Sequence, residues 1–251
     1  MAARRIILVT GANSGIGYDT SYAAAAASPS NHVIMGCRSL AKGAKALEEL
    51  QARKPAGTLS LLELDVTNDS TIKAAVDKIS ADFGVLDALV NNAGIYIRDA
   101  QDRRSEILDT LNTNTVGPLV LTEALLPLLR KSKDPRIINV SSALGSITDR
   151  FDASLSYHGL PAEAYRMSKA ALNMATACMH TAYAPWGARV WAFCPGYVVT
   201  NLSGEADRQL RRERGADSAE TSAAAILEIL DGKRDGEAGS FVRRNGQRFL
   251  W

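Results

Sequence analysis

Apolar residues fall along this chain in short unbroken runs, each followed by a longer stretch in which apolar and polar positions recur with helical spacing. The runs place strands at 4–10, 32–37, 59–64, 86–90, 135–141, 188–193 and 239–243. The spaced stretches place helices at 15–27, 40–53, 69–82, 103–130, 162–184 and 217–231. A run such as Ile6-Ile7-Leu8-Val9 has no polar alternate position, so both faces of that strand are buried, as in a parallel sheet covered on both sides. Strand and helix alternate throughout, which implies right-handed βαβ units. The expected fold is α/β, with a doubly wound parallel sheet of about seven strands flanked by helices on both faces. One domain over 1–251 accounts for the pattern, and no internal repeat, linker or low-complexity segment interrupts it.

Ligands in such sheets bind beyond the carboxyl ends of the strands. The first strand runs directly into Thr10-Gly11-Ala12-Asn13-Ser14-Gly15-Ile16-Gly17, and the alanine-rich, proline-free segment after it reads as a helix. Taken alone, the motif is either an ordinary capping turn or an anion site. Its place after the first strand favours a dinucleotide, with backbone N–H groups and the helix dipole directed at the pyrophosphate. Glycine is needed because a Cβ would hold the phosphates off the backbone. The spacing is G-x-x-x-G-x-G, one residue longer between the first two glycines than the G-x-G-x-x-G fingerprint. A Rossmann-type sheet follows, with Gly11, Asn13, Ser14, Gly15, Ile16 and Gly17 as candidate cofactor ligands. The second strand ends in Cys37-Arg38-Ser39, without the acid that would hold a ribose 2′-hydroxyl. The Arg38 guanidinium suits a 2′-phosphate, and the Ser39 hydroxyl adds a donor, so NADPH/NADP+ is expected over NADH.

A second motif, Tyr165-Arg166-Met167-Ser168-Lys169, lies on the helix expected at 162–184. Spacing i,i+4 puts the phenol and the ammonium on one face. A free tyrosine has a pKa of about 10 and is a poor acid–base group at neutral pH. A neighbouring cation stabilises the phenolate and lowers that value. The pentapeptide alone is equally consistent with a surface tyrosine packed on a lysine stem.

With Asp65-Val66, Asn91-Asn92-Ala93-Gly94, Asn114-Thr115-Val116-Gly117, Asn139-Val140-Ser141-Ser142 and Pro195-Gly196-Tyr197-Val198-Val199-Thr200 in order, the sequence resembles the short-chain dehydrogenase/reductase family over residues 4–243. The runs 141–147 and 165–173 are most similar to its carbonyl-reductase branch, Sniffer- and C-factor-like. The resemblance implies an NADPH-dependent reduction of a small-molecule carbonyl compound (ketone, aldehyde or quinone) to an alcohol. It implies that Ser142 polarises the carbonyl, Tyr165 delivers the proton, and Lys169 holds the ribose and lowers the tyrosine pKa. Asn114 would retain a water linking Lys169 to solvent. Asp65 and Val66 would meet the adenine, and Asn92, Ala93 and Gly94 the adenosine side. Thr200 would bond the nicotinamide amide or the diphosphate, with Pro195 and Gly196 fixing the turn and Val198 also at the cofactor. One departure is Ser14, where many NADP-dependent relatives carry Lys or Arg. The alternatives are an NADP(H)-binding sensor or signalling protein, and dehydration or isomerisation at the same site.

The pocket is expected to be lined by Ile95, Tyr96, Leu144, Tyr197 and Leu202. The segment 148–161, with Phe151, Leu155, Tyr157 and His158, is either a surface loop or a substrate wall. The segment 201–215, with Arg208, Arg211, Arg212 and Arg214, is a lid that is either a solvated helix or a reader of anions. The resemblance implies a homodimer paired through the fourth and fifth helices; Leu119, Leu121, Leu125 and Leu128 on the fourth either belong to that face or pack on the sheet.

The chain has 251 residues, is 46% hydrophobic and carries a formal charge of +2, enough for a full core and no reason for nucleic acid or an anionic membrane as partner. No stretch is apolar enough to span a bilayer and no signal peptide precedes the first strand, so a cytoplasmic protein is expected. Cys37, Cys178 and Cys194 lack C-x-x-C spacing and the histidines His32, His158 and His180 form no ligand pattern, so no metal is expected.

Overall fold

The computed structural model describes residues 4–98, 100–202, 204 and 206–251. The strands are β1 (Arg5–Thr10), β2 (Asn31–Cys37), β3 (Thr58–Glu63), β4 (Ala88–Asn91), β5 (Arg136–Val140), β6 (Arg189–Cys194) and β7 (Phe241–Arg243). They form one seven-stranded sheet in the order β3-β2-β1-β4-β5-β6-β7, every pair parallel. The chain builds outward from β1 to one edge, then restarts at β4 and builds to the other. The carboxyl ends of β1 and β4 therefore flank the switch point at which such sheets take ligands.

The helices are α1 (Gly15–Ala27), α2 (Leu40–Ala52), α3 (Asp69–Asp82), α4 (Arg103–Leu111), α5 (Gly117–Leu129), α6 (Ile147–Arg150), α7 (Glu163–Tyr183), α8 (Asp207–Glu213) and α9 (Ala219–Leu230). The unbroken apolar run of β1 is divided between two cores. Ile7 and Val9 pack with Ala24 and Ala25 of α1, Leu50 of α2 and Ile226 and Ile229 of α9. Ile6 and Leu8 pack with Ile72 of α3, Leu121 and Leu125 of α5 and Met179 of α7. A polar residue at either set of positions would be buried without water, so no polar alternation is seen in the sequence.

The helix expected at 103–130 is interrupted. Residues Asn112–Val116 form a single π turn between α4 and α5, in which the Gly117 N–H reaches back to the Asn112 carbonyl. Pro118 has no N–H to offer the Asn114 carbonyl, which releases the α-helical register at that point. Of the two readings of the leucines, sheet packing is the one observed: Leu121, Leu125 and Leu128 are buried against the sheet and Leu119 packs beside them. The exposed apolar residues on these helices are Leu108, Val116, Met167 and Met174. Among the described residues no helix is long and apolar enough to cross a membrane, and no group of His, Cys, Asp and Glu could hold a metal ion.

Candidate active site

The turn after β1 is shaped by its glycines. Gly11 and Gly15 have φ of +64° and +56°, a region costly for side chains with a Cβ. Gly17 is fixed by space instead, because a Cβ there would lie 2.5 Å from both Asn92 Nδ2 and the Gly11 oxygen. Asn92 Nδ2 donates to the carbonyls of Thr10 at 2.8 Å and Gly11 at 3.3 Å. The Thr10 hydroxyl accepts the backbone N–H groups of Asn92 at 3.0 Å and Ala93 at 2.9 Å. The ends of β1 and β4 are thus bonded into one floor. Above it α1 begins with Ser14 as N-cap, making no side-chain capping bond and with no acid in the first turn, so its dipole is unopposed.

A cavity of about 250 Å³ lies over this floor. It is lined by Gly11, Asn13, Ser14, Gly15 and Ile16 from the turn, Arg38 after β2, Asp65 and Val66 after β3, and Asn92, Ala93, Gly94 and Ile95 after β4. Tyr165, Lys169, Pro195 and Thr200 close it, and Thr200 lies against Gly15, within 3.2 Å of where a Cβ would stand. Gly17 and Ser39 are not in this lining. Ser39 caps α2, its hydroxyl accepting the Lys42 N–H at 3.4 Å. Arg38 is exposed at the cavity mouth, while burial pushes the Cys37 thiol up to about 11, so the neighbouring side chain is neutral. Asp65 does not cap α3, which Asn68 does; its Oδ1 accepts the Thr67 N–H and hydroxyl at 2.9 and 2.7 Å.

Tyr165 and Lys169 lie one turn apart on α7, both buried. Lys169 Nζ donates to the Val140 carbonyl at 2.8 Å and stands 5.7 Å from the centre of the Tyr165 ring. Burial lowers the Lys169 pKa to about 8 and raises that of Tyr165 above its ordinary value. The expectation that Lys169 lowers the phenol is therefore corrected for the protein alone. Desolvation dominates both groups, and the pull toward phenolate comes first from the Ser142 hydroxyl and then from Arg211. Ser141 and Ser142 differ as strand alternation requires. The buried Ser141 hydroxyl donates to Asn173 Oδ1 at 2.6 Å, whereas Ser142 Oγ accepts the Leu144 N–H at 3.2 Å and faces a second cavity.

Asn114, in the π turn, is fully buried. Its Oδ1 accepts the Ile95 N–H at 2.8 Å, and its Nδ2 donates to the Ile95 carbonyl at 2.9 Å and the Ser168 hydroxyl at 3.0 Å. It lines neither cavity but meets the site at Gly94, where a Cβ would stand 3.2 Å from Asn114 Oδ1 and 3.7 Å from Lys169 Nζ.

The second cavity, of about 850 Å³, shares Ile16, Ser141, Tyr165, Pro195, Thr200 and Leu202 with the first. Gly196 and Val198 open onto it rather than onto the first, as do Tyr96, Leu144 and Tyr197; Ile95, expected here, lines the smaller cavity. The segment 148–161 is both loop and wall: Tyr157, Leu160 and Pro161 line the cavity while Phe151 is 83% exposed. In the 201–215 segment Arg211 is buried and paired with Asp207 at 2.9 Å, while Arg208 and Arg212 are exposed; Ser203 and Glu205 lie outside the described residues. Thr113, Arg98, Arg243 and Arg244 also line these cavities and are not candidates from the sequence. Only Thr10, at the head of the glycine motif, had a local signal for its place.

Residues 5–211 match the family model for short chain dehydrogenases. A short-chain dehydrogenase/reductase, eupG of Phoma sp, is 33% identical over 92% of this chain and 91% of its own. The NADPH-bound carbonyl reductase from chicken fatty liver superposes with a TM-score of 0.83 at 32% identity, covering 99% of this chain and 100% of that one. Carbonyl reductase Sniffer of D. melanogaster gives 0.79 at 31% identity, with the same coverage. The chain belongs to the short-chain dehydrogenase/reductase family, which binds a nicotinamide cofactor, and to a carbonyl-reductase-like branch of it.

Proposed function

We propose that the protein is an NADPH-dependent carbonyl reductase that converts a ketone, aldehyde or quinone to the alcohol. The observation that carries this is the position of Tyr165, which stands in the lining of both cavities with the Ser142 hydroxyl beside it. The smaller cavity fits a dinucleotide: the uncapped end of α1, the glycine floor without room for side chains, and Asp65 near the far end. When bound, NADPH supplies a hydride to the carbonyl carbon. Arg38 at the mouth, beside a neutral Cys37, favours a 2′-phosphate over a bare 2′-hydroxyl. The NADPH-bound chicken relative supports the same choice.

The residues of this chain then act on the substrate oxygen. As hydride arrives, charge develops there, and two donors aimed at it lower the barrier. Ser142, whose oxygen accepts the Leu144 N–H and whose hydroxyl bonds Tyr165, would turn its proton from the phenol to the substrate oxygen. Tyr165, held protonated by burial, is the acid that completes the alcohol. Lys169 would hold positive charge near the phenol as its proton leaves, and Asn114, which lies with Lys169 against Gly94, would have to hold a water for reprotonation through the remaining lone pair of its oxygen.

NADPH oxidation against a panel of ketones, aldehydes and quinones tests this, with Tyr165→Phe alongside. Loss of turnover in the variant, with cofactor affinity kept, is expected; wild-type turnover in Tyr165→Phe would overturn the mechanism.

A further inference from the structure

The larger cavity has a charge asymmetry that carbonyl reduction does not use. Arg98, Arg211, Arg214, Arg243 and Arg244 line it, and among the described residues no Asp or Glu does. Their acidic partners stand outside the lining. Asp207 takes Arg98 in a fork at 3.1 and 3.1 Å, and also Arg211 at 2.9 Å. Those two cations are held in place by it.

The other three are differently placed. Arg243 lies over the Phe249 ring, its carbon 3.9 Å from the ring centre, and its nearest carboxylate oxygen, on Asp149, is 4.0 Å away, outside hydrogen-bond distance. Arg243 Nε is buried and makes no hydrogen bond. Arg244 is oriented from behind by Asp217 and by Thr221, to which it donates at 2.8 Å. Arg214 lines the same cavity from the end of α8. The Arg243 side chain is 39% exposed and lines the cavity, so a carboxylate there would meet its terminal N–H groups in paired charge-assisted bonds. The remaining lining is largely apolar and aromatic, from Tyr96, Leu144, Leu160, Pro161, Tyr197 and Phe249. A cavity of about 850 Å³ falls within the size range of small-molecule sites.

We propose that this cavity binds a carbonyl compound with an apolar body and a carboxylate, the carboxylate seated against Arg243, Arg244 and Arg214 and the carbonyl at Ser142 and Tyr165. The inference rests on the reductase reading for the carbonyl end, while the anion subsite stands on the arginines alone.

Calorimetric titration into NADP+-saturated protein tests it with 4-acetylbenzoate and its methyl ester, which differ in the one charge. The acid binds tighter than the ester by about tenfold or more, and added salt narrows the gap. The preference falls in Arg243→Met/Arg244→Met and, should that pair fail to fold, in the exposed-site variant Arg214→Met. Equal affinities in the wild type, or a preference untouched in both variants, would overturn the subsite. Turnover of the ester with NADPH is read separately. Ester reduction without an acid preference removes the subsite and keeps the reductase. An acid preference without reduction of either probe keeps the subsite and removes the reductase.

Discussion

Replacing Lys169 by methionine should make the cofactor-free protein more stable at neutral pH while abolishing turnover. Burial holds the Lys169 pKa near 8, against 10.5 for the free side chain. A lysine whose folded pKa is depressed destabilises the fold at every pH where it must be charged. Below pH 8 it is protonated in both states and the full penalty applies; between 8 and 10.5 the folded state loses its proton first and the penalty fades; above 10.5 none remains. The shift corresponds to about 3 kcal/mol at pH 7 and to less than about 1 kcal/mol at pH 10. Methionine keeps the length of the side chain but leaves the Val140 carbonyl without its donor, a loss of about 1 kcal/mol. The variant should therefore be more stable by about 2 kcal/mol at pH 7, with the advantage gone at pH 10. Tyr165, whose raised pKa makes stability fall as pH climbs past its ordinary value, is present in both proteins and cancels. Urea unfolding of both proteins at the two pH values measures the difference. A variant no more stable than wild type at pH 7, or an advantage that does not change with pH, would refute the reasoning.

Arg38→Ala should raise the KM for NADPH by about tenfold or more and leave that for NADH nearly unchanged, since only the former offers a 2′-phosphate to lose; equal effects on the two cofactors would argue against the contact. Ser142→Ala should lower kcat by roughly 10²–10³ with cofactor affinity intact, read by steady-state kinetics beside a fluorescence titration of NADPH. Gly17→Ala forces a methyl to within 2.5 Å of Asn92 Nδ2 and the Gly11 oxygen, so it should cost about 1–3 kcal/mol in chemical unfolding and also weaken cofactor binding. If the protein pairs as its family resemblance implies, light scattering gives twice the chain mass, and Met167→Glu with Met174→Glu on the exposed side of α7 gives a monomer.

The half of the molecule that meets the cofactor was legible because each of its parts is local. The β1 run had to be apolar on both faces, since Ile7 and Val9 enter one core and Ile6 and Leu8 the other. The glycines had to follow at once because the turn, the close approach to Asn92 and the start of α1 occupy eight consecutive residues, Thr10 to Gly17. Strand alternation likewise gives the two serines different partners, the Ser141 hydroxyl bonded to Asn173 and the Ser142 oxygen to the Leu144 N–H, although both residues line the larger cavity. What local pattern did not supply was the break at Asn112–Val116. Its cause is a missing N–H at Pro118, and periodicity of side chains carries no record of backbone donors.

Electrostatics and the substrate end escaped for a different reason: both depend on what surrounds a group rather than on its neighbours in the chain. The i,i+4 spacing of Tyr165 and Lys169 argues for a lowered phenol pKa if the two sit in water, yet both are buried and desolvation is the largest influence on each. The leucines of α5 fit either a dimer face or the sheet until the sheet is seen to cover them. Arg98, Arg214 and the adjacent pair Arg243-Arg244 come from three separate stretches of the chain, and apart from Arg214, which the lid reading offered as a reader of anions, each reads locally as a solvated surface charge. Only the fold brings them to one cavity, whose lining does not include the carboxylates that face Arg98, Arg243 and Arg244. A site assembled in that way is free to vary with the substrate while the glycine floor and the Ser142–Tyr165–Lys169 cluster stay fixed. On the reading proposed above, specificity would reside in the arginine-lined cavity, and the charge of the substrate is the property that a comparison of acid and ester reads most directly.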